Sequence, residues 1–181
     1  MLAYVSIAVN KILLCEELKM YTVYDEFDSP IGTIRVVTYN GLLIKVELIE
    51  EHWINYIKNN SEIKKNKVAC KFAVDELKEY FLGERKIFTI PLHIEGTEFR
   101  KSVWSSLQKI PYGEVRSYYD IAKDIGNTKA VRAVGQANKH NNIPIVIPCH
   151  RVISKNKQLV GFAGNNTHIQ EFLLKHENIW L

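Results

Sequence analysis

The chain has 181 residues, of which 46% are hydrophobic and 24% charged. This balance is typical of a globular protein and argues against wholesale disorder, and the length allows one large domain or two small ones with a buried core. Three unevenly spaced cysteines do not form a disulfide framework, so we expect a reducing, cytoplasmic location. No segment approaches the ~20 consecutive apolar residues that span a bilayer, and no membrane association is expected.

Charge is distributed unevenly along the chain, whose formal net charge is +4. Residues 1–97 carry 12 Lys and Arg against 14 Asp and Glu, a net −2, whereas residues 98–181 carry 12 against 6, a net +6. The carboxyl half is therefore the candidate for contact with a polyanion. A solvated basic face explains the charge equally well.

The amino half combines strand-like and helical patterns. Residues 1–19 are an apolar extension without the basic segment and cleavage site of a signal peptide, and we assign them no function. Strand-like segments follow, with turns at Ser29–Pro30 and at Asn40–Gly41, which predict a small antiparallel meander. Apolar residues at three- and four-residue spacing predict a helix over 67–84. An antiparallel-sheet-plus-helix domain is therefore predicted over 20–93.

Helical periodicity dominates the rest of the chain. An extended stretch with Pro91 and Gly96 reads as a linker between two lobes. Beyond it, Thr97 is the predicted N-cap of a helix in which apolar residues recur every four positions. A mostly helical domain is predicted over 94–181.

Two short helices within this domain are separated by only a few residues. Ser117 is the predicted N-cap of the first helix, YYDIAKDI, which ends at Gly126. Thr128 is the predicted N-cap of the second, KAVRAVGQANKH, which is basic and rich in small residues. This pattern is that of a helix-turn-helix. Such helix pairs more often serve ordinary packing than DNA binding. The positive charge of this half supports DNA binding, so the sequence favours neither interpretation over the other.

The segment IPIVIPCHRVI (143–153) places Cys149 at the end of an apolar, strand-like run that two prolines prevent from being a central strand throughout. A neighbouring cation lowers the pKa of a thiol, and His150 and Arg151 could supply that charge. Adjacent side chains diverge, however, so a direct contact between Cys149 and His150 requires a turn at the cysteine or a bridging water. An inert packing cysteine is the alternative, and the spacing gives little support to zinc.

The motif PCHRV, behind IPIVI and the RAVGQAN helix, resembles the O6-alkylguanine-DNA alkyltransferase family, also called methylated-DNA–protein-cysteine methyltransferase. The resemblance is dense over residues 97–177, in TEFRKSVW, IPYGEVRSY, IAKDIGNTKAVRAVGQANKHN, IPCHRVI, GFAG and EFLLKHE. In the amino half it rests on strand-turn order and SPIG. It implies an α+β fold whose helical C-terminal domain carries the active site on a winged-helix-like helix-turn-helix. The implied reaction is irreversible transfer of an alkyl group, mainly methyl, from O6 of guanine in DNA to Cys149, without a cofactor or metal.

The same resemblance assigns roles to individual catalytic residues. Cys149 is the alkyl acceptor, and His150 relays the thiol proton through a water. Glu177 orients His150. Asn141 braces the turn beneath the site. Tyr118 contacts the guanine ring and helps to extrude the nucleotide.

Further residues are assigned to the guanine and to DNA. The backbone carbonyl of Val152 is expected to recognise the guanine amino group, and Arg132 to replace the flipped base in the stack. The active-site loop supplies three more substrate contacts, from Phe162, Ala163 and Gly164. Other DNA contacts are expected from Ser117, Thr128, Lys129, Gln136 and Arg151. Three departures from the family pattern bear on substrate range and rate, namely Asn142 for proline, Phe162 for tyrosine and Asn165 for glycine.

The expected partner is duplex DNA that contains O6-alkylguanine, bound through its minor groove by a monomer, with O4-alkylthymine as a further candidate substrate. An alkyl group inside a duplex is reached only by extruding its base. A non-catalytic binder of alkylated DNA is one alternative, but such proteins lack the cysteine. A helix-turn-helix regulator would leave Tyr118, His150 and Glu177 unexplained. A cysteine hydrolase is the weakest alternative because Cys149 and His150 are adjacent.

Overall fold

The structure is a computed structural model that describes residues 21–159, 162 and 166–180. Its first sheet has the strand order β3-β2-β1-β4, with the strands β1 (Thr22–Ser29), β2 (Gly32–Tyr39), β3 (Leu42–Glu47) and β4 (Lys64–Lys65). The first three strands pair antiparallel, as the meander prediction requires, and β4 lies parallel to β1. Asn40 and Gly41 have φ values of 50° and 75°, and positive φ at both residues is the geometry that Asn-Gly favours in a tight hairpin.

In the described part of this half, residues 21–93, the helices are α1 (Glu50–Asn59) and α2 (Lys67–Phe81). Helix α2 begins at the N-cap Asn66, whose side chain accepts a hydrogen bond from Ala69 N, and it packs on β1 and β2. Its buried face includes Cys70. The Cys70 thiol is fully buried and lies 3.5 Å from Thr38 Oγ1.

The segment between the two halves does not behave as a free linker. Leu43 N donates to Pro91 O at 2.8 Å, and His93 N donates to Leu43 O at 3.0 Å. These bonds add the extended chain to the outer edge of β3, which would otherwise expose unpaired backbone groups. The second half is thereby tied to the sheet at its point of entry.

Among the residues that the structure describes in the second half, the α-helices are α3 (Glu98–Leu107), α4 (Tyr118–Asp124), α5 (Val131–Lys139) and α6 (Thr167–His176). Two short parallel strands, β5 (Arg116–Ser117) and β6 (Val152–Ile153), complete it. Because β5 leads directly into α4, this pairing holds the start of α4 beside the chain that follows Cys149. The expected α+β class, with a helical carboxyl half, is confirmed. No helix within the described ranges is long and apolar enough to cross a membrane.

Side-chain caps mark the start of α3 and of α4. Thr97 accepts a hydrogen bond from Arg100 N, as expected, and Ser117 forms a capping box with Asp120. The prediction for Thr128 was wrong, because α5 begins at Val131 and its N-cap position, occupied by Ala130, has no side-chain cap. The intervening residues form a turn closed by Ala130 N and Asn127 O at 2.9 Å.

The two halves share one hydrophobic core. Val36 and Leu77 of the first half belong to the same buried cluster as Leu107, Ile121 and Leu173 of the second. A backbone hydrogen bond of 2.8 Å from Val46 N to Asn142 O also joins β3 to the chain that precedes Cys149. The segment around Cys149 is therefore supported from both halves of the molecule.

Candidate active site

The segment around Cys149 is a compact turn and not a strand-like run. Ile147 N donates to Ile143 O at 2.9 Å, and a single 3-10 turn, Cys149–Arg151, follows. Ile145 is fully buried with φ at 73°. A β-branched residue pays ~1–3 kcal/mol for this left-handed backbone, so the surrounding packing must hold it. A turn at Cys149 is one of the two arrangements that can bring adjacent side chains into one site.

Asn141 braces this turn with both ends of its side-chain amide. Its Nδ2 donates to Ile147 O at 2.8 Å and to Cys149 Sγ at 3.1 Å, while its Oδ1 accepts from Ile143 N at 3.0 Å. The amide therefore fixes the backbone before Cys149 and places a donor on the sulfur. That donor favours the thiolate over the thiol.

Cys149 is 7% exposed, and its burial raises the pKa of the thiol to about 11. Hydrogen bonds from Asn141 and from the backbone N–H groups of Cys149 and His150 oppose this shift without reversing it. The neighbouring cations do not lower the pKa as the local sequence had suggested. At neutral pH the free protein therefore holds a protonated thiol, which needs a base to become a nucleophile.

His150 is the candidate for that base. Its ring is fully buried, and Nε2 lies 2.8 Å from Glu177 Oε1. A carboxylate accepts only, so Nε2 carries the proton and Nδ1 presents a lone pair. Nδ1 is buried and has no hydrogen-bond partner within the described part of the chain. Burial lowers the pKa of His150, and the hydrogen bond to Glu177 only partly offsets it, so the ring is neutral before reaction.

Glu177 accepts hydrogen bonds from both halves of the molecule. Oε1 accepts hydrogen bonds from Tyr80 Oη and His150 Nε2, each at 2.8 Å, and from Arg151 Nη2 at 3.0 Å. Oε2 receives Arg151 Nε at 2.8 Å and Gly113 N at 3.3 Å. Burial alone would raise the pKa of Glu177, but these hydrogen bonds and the charge of Arg151 leave it well below its usual range. The carboxylate is therefore charged at all physiological pH values.

The assignment of Arg151 to DNA contact was wrong. Arg151 is 5% exposed, and besides its two bonds to Glu177 it donates Nη1 to Ile110 O at 2.7 Å. A guanidinium enclosed in this way cannot reach a phosphate. It serves as the counter-ion of Glu177 and pins the 3-10 turn to the end of α6.

Tyr118 connects the helix-turn-helix to the thiol. It is the first residue of α4, and a Cβ on Gly135 of α5 would lie 3.8 Å from Tyr118 Cε1, so the ring rests on the glycine. Burial, with a smaller contribution from charge on Cys149, raises the pKa of the Tyr118 hydroxyl. The ring therefore packs against the predicted DNA-binding helix, and its hydroxyl is near enough to Cys149 to be influenced by charge there.

A cleft of about 340 Å³ opens beside Cys149 and is lined by Phe162, Asn138 and Pro144 among others. Phe162 is 7% exposed, whereas Ala163 and Gly164 lie outside the described residues. The Val152 carbonyl accepts from Gln170 Nε2 at 3.2 Å, so a guanine amino group would share this acceptor.

Most of the residues predicted to contact DNA lie at the surface of the helix-turn-helix. Thr128 and Lys129 in the turn, and Arg132 and Gln136 on α5, are exposed. Ser117 is half-buried, and its hydroxyl donates to Asp120 Oδ2 at 2.7 Å, so its first role is the cap of α4.

Three polar residues of the site escaped the sequence analysis. Tyr80 lies within the helix predicted over 67–84 and fits its apolar spacing, although a tyrosine at such a position signals a hydroxyl that needs a partner. Gln170 lies on the buried face of α6 and donates to the carbonyls of His150 and Val152. Asn138 is 9% exposed, and neither polar atom of its side chain has a partner among the residues that the structure describes.

Comparison with known proteins identifies the family. The family description "6-O-methylguanine DNA methyltransferase, DNA binding domain" matches residues 98–179, and its "ribonuclease-like domain" matches residues 19–94. The constitutive methylated-DNA–protein-cysteine methyltransferase of Bacillus subtilis is 46% identical over 86% of this chain and 95% of its own.

Solved structures agree with the sequence relatives. The O6-methylguanine methyltransferase of Mycobacterium tuberculosis matches with a TM-score of 0.79 and 39% identity, over 87% of this chain and 93% of that one. Mycobacterium tuberculosis OGT in complex with DNA matches with a TM-score of 0.76 and 38% identity, over 86% and 92%. With both domain descriptions matched and these similarities spanning most of the chain, the protein belongs to the 6-O-methylguanine DNA methyltransferase family.

Proposed function

We propose that this protein repairs DNA by transferring the methyl group of O6-methylguanine to Cys149. The observation that carries the proposal is the placement of Cys149 Sγ at a cleft, 3.1 Å from the Asn141 amide, in a 3-10 turn whose next residue is a buried, neutral histidine. Similarity to methylated-DNA–protein-cysteine methyltransferases over most of the chain supports the same reaction.

The reaction needs one proton transfer and one displacement. Nδ1 of His150 takes the thiol proton of Cys149 through a bridging water, because the side chains of these adjacent residues diverge. Glu177 stabilises the imidazolium that forms. The sulfur attacks the methyl carbon while the bond from that carbon to O6 breaks, and the electron pair leaves with the guanine, which takes up a proton. The product is a thioether that no hydrolytic step in this site reverses, so each molecule reacts once.

The high pKa of Cys149 suits a protein that is consumed by its own reaction. A thiol with a pKa of about 11 is mostly protonated at neutral pH and resists non-specific alkylation and oxidation. Thiolate formation therefore takes place in the substrate complex, where the developing charge of the leaving guanine drives the transfer. A reducing compartment such as the cytoplasm would preserve the thiol.

Access to the methyl group requires extrusion of the nucleotide, which costs a few kcal/mol. The proposal assigns the helix-turn-helix to the minor groove, with Arg132 filling the gap in the base stack and Tyr118 leading the base towards Cys149. Small residues on α5 allow the close approach that this mode requires. A single copy of the chain carries every residue in these roles, which favours a monomer.

Paired cysteine variants test the proposal. Cys149→Ser and Cys70→Ser each remove one buried thiol, but only Cys149 lines the cleft. With a duplex that contains one O6-methylguanine, we expect parent and Cys70→Ser to repair one equivalent per protein without added cofactor. Cys149→Ser should bind the duplex and repair none of it. Repair by Cys149→Ser at the parental rate, or several turnovers by the parent, would contradict the proposal.

A further inference from the structure

Tyr80 reaches the catalytic carboxylate from the amino half of the molecule. It lies on α2, is fully buried, and donates its hydroxyl to Glu177 Oε1 at 2.8 Å. The same oxygen accepts Nε2 of His150 at 2.8 Å. A residue 97 positions before Glu177 in the chain therefore shares an acceptor atom with the general base.

We propose that Tyr80 is a positioning residue through which the amino-terminal domain sets the orientation and the proton affinity of His150. The inference rests on the proposed function, because it concerns the same proton relay. The amino-terminal domain, which does not carry Cys149, thereby has a role in the reaction.

The shared oxygen explains how a neutral hydroxyl can influence a base that it does not touch. Each donor on Oε1 draws negative charge away from the other, so the Tyr80 hydroxyl weakens the pull of Glu177 on the Nε2 proton. Loss of the hydroxyl leaves Oε1 freer to stabilise the imidazolium and removes one of the contacts that fix the carboxylate plane. His150 should then bind a proton more tightly and be held less firmly.

The surroundings keep the hydroxyl protonated and in place. Burial, followed by the charge of Glu177, raises the pKa of Tyr80 well above its usual range. The ring packs edge-to-face on His176 and Tyr112, with centroids 4.9 and 6.3 Å away. The other titratable and charged groups that face the Glu177–His150 pair are Arg151, Tyr112 and His176. Of the two tyrosines, only Tyr80 hydrogen-bonds to the carboxylate.

Tyr112 provides a matched control. Its ring contacts that of Tyr80, but its hydroxyl donates to the backbone carbonyl of His176 at 2.9 Å and not to Glu177. Tyr80→Phe and Tyr112→Phe therefore each remove one buried or half-buried hydroxyl from the same aromatic cluster. Only the first changes the number of donors on Oε1.

The experiment measures the single-turnover rate of methyl transfer against pH for the full-length parent and both variants, and follows the ring nitrogens of His150 by NMR. For Tyr80→Phe we expect a higher pKa of His150, an acid limb of the rate profile moved to higher pH, and a rate roughly two- to tenfold lower near neutral pH, the range for one hydrogen bond. Tyr112→Phe should match the parent in all three. DNA affinity should be unchanged in both.

Two further arms separate positioning from a general loss of packing. In a His150→Ala background, Tyr80→Phe should cause no additional loss of rate, because the group through which it acts is gone. Difluorotyrosine at position 80 is a stronger donor of nearly the same shape, and it should lower the pKa of His150.

Unchanged rates and pH profiles in Tyr80→Phe would overturn the inference, as would an equal loss in the His150→Ala background or equal shifts in both phenylalanine variants. If Tyr80→Phe does not fold, the difluorotyrosine variant is sufficient: an unaltered pKa of His150 in that variant would overturn the positioning role of Tyr80. A parent that transfers no methyl group refutes the proposed function instead, so the two failures are distinct.

Discussion

Cys149 combines a nucleophilic position with a raised pKa. Because burial lifts the thiol pKa to about 11, compared with about 8.5 for a free cysteine, the thiolate fraction at neutral pH is small and grows as pH rises. We expect the rate of Cys149 alkylation by iodoacetamide to keep increasing through pH 10, where an ordinary thiol has reached its plateau. Mass analysis of the Cys149 peptide at each pH measures the alkylation rate. A plateau near pH 8.5 would show that burial does not raise the pKa of this thiol.

Glu177 pairs with the buried Arg151 guanidinium and also accepts a hydrogen bond from His150. Substitution of Glu177 therefore affects the stability of the fold as well as the proton relay. Glu177→Gln leaves the Arg151 guanidinium buried without its counter-ion, a defect that typically costs ~3–5 kcal/mol. A slower reaction in this variant would therefore mix loss of relay with loss of structure. His150→Ala keeps the Glu177–Arg151 pair and is the cleaner test of the relay.

The stability that Glu177 contributes should depend on pH with a definite sign. Its pKa is lowered on folding, so its contribution is present above the unfolded-state pKa of about 4.3 and disappears as pH falls through the lower folded-state pKa. In urea unfolding, the gap between parent and Glu177→Gln should be widest near neutral pH and should narrow below pH 4. A gap that is constant over this range would show that the carboxylate charge is not the cause.

Elements whose boundaries depend on local chemistry were predictable from the sequence. The caps at Thr97 and Ser117 and the hairpin at Asn40–Gly41 follow from side chains within three residues of each boundary. The predicted cap at Thr128 and the strand-like run before Cys149 were wrong, since both segments form backbone turns, closed by Ala130 N to Asn127 O and by Ile147 N to Ile143 O. Nothing in the local pattern signals that Ile145 adopts a positive φ.

Substitutions of Arg132 on α5 distinguish DNA binding from base extrusion. A guanidinium is planar and can stack in the place of a base, whereas an ammonium cannot. Arg132→Ala should lose most repair of a duplex yet react with free O6-benzylguanine nearly as fast as the parent. Arg132→Lys should resemble Arg132→Ala, and single-turnover rates at saturating DNA measure both.

The alternative for Arg132 is a phosphate contact. In that case affinity would fall modestly, and the slope of log affinity against log salt would decrease by about one unit. Duplex repair by Arg132→Lys at the parental rate and saturating DNA would contradict insertion into the stack.

Residues from both halves of the chain form the active site. The sequence indicated Cys149, His150 and Glu177 through motifs in the carboxyl half, where spacing is short. It could not indicate that Tyr80 lies against Glu177 or that residues 91–93 seal the edge of β3. These contacts join positions far apart in sequence, and they become visible only when both halves close on one core.

Transfer of the methyl group to Cys149 is tested most directly by following the group itself. The full-length protein is mixed with one equivalent of a duplex in which O6-methylguanine carries a trideuterated methyl group, then digested, and the cysteine peptides are analysed by mass spectrometry. We predict one label per protein, on the peptide that contains Cys149, and unmodified guanine in the recovered DNA. A label on the peptides of Cys15 or Cys70, or repaired DNA with no labelled peptide, would contradict the account.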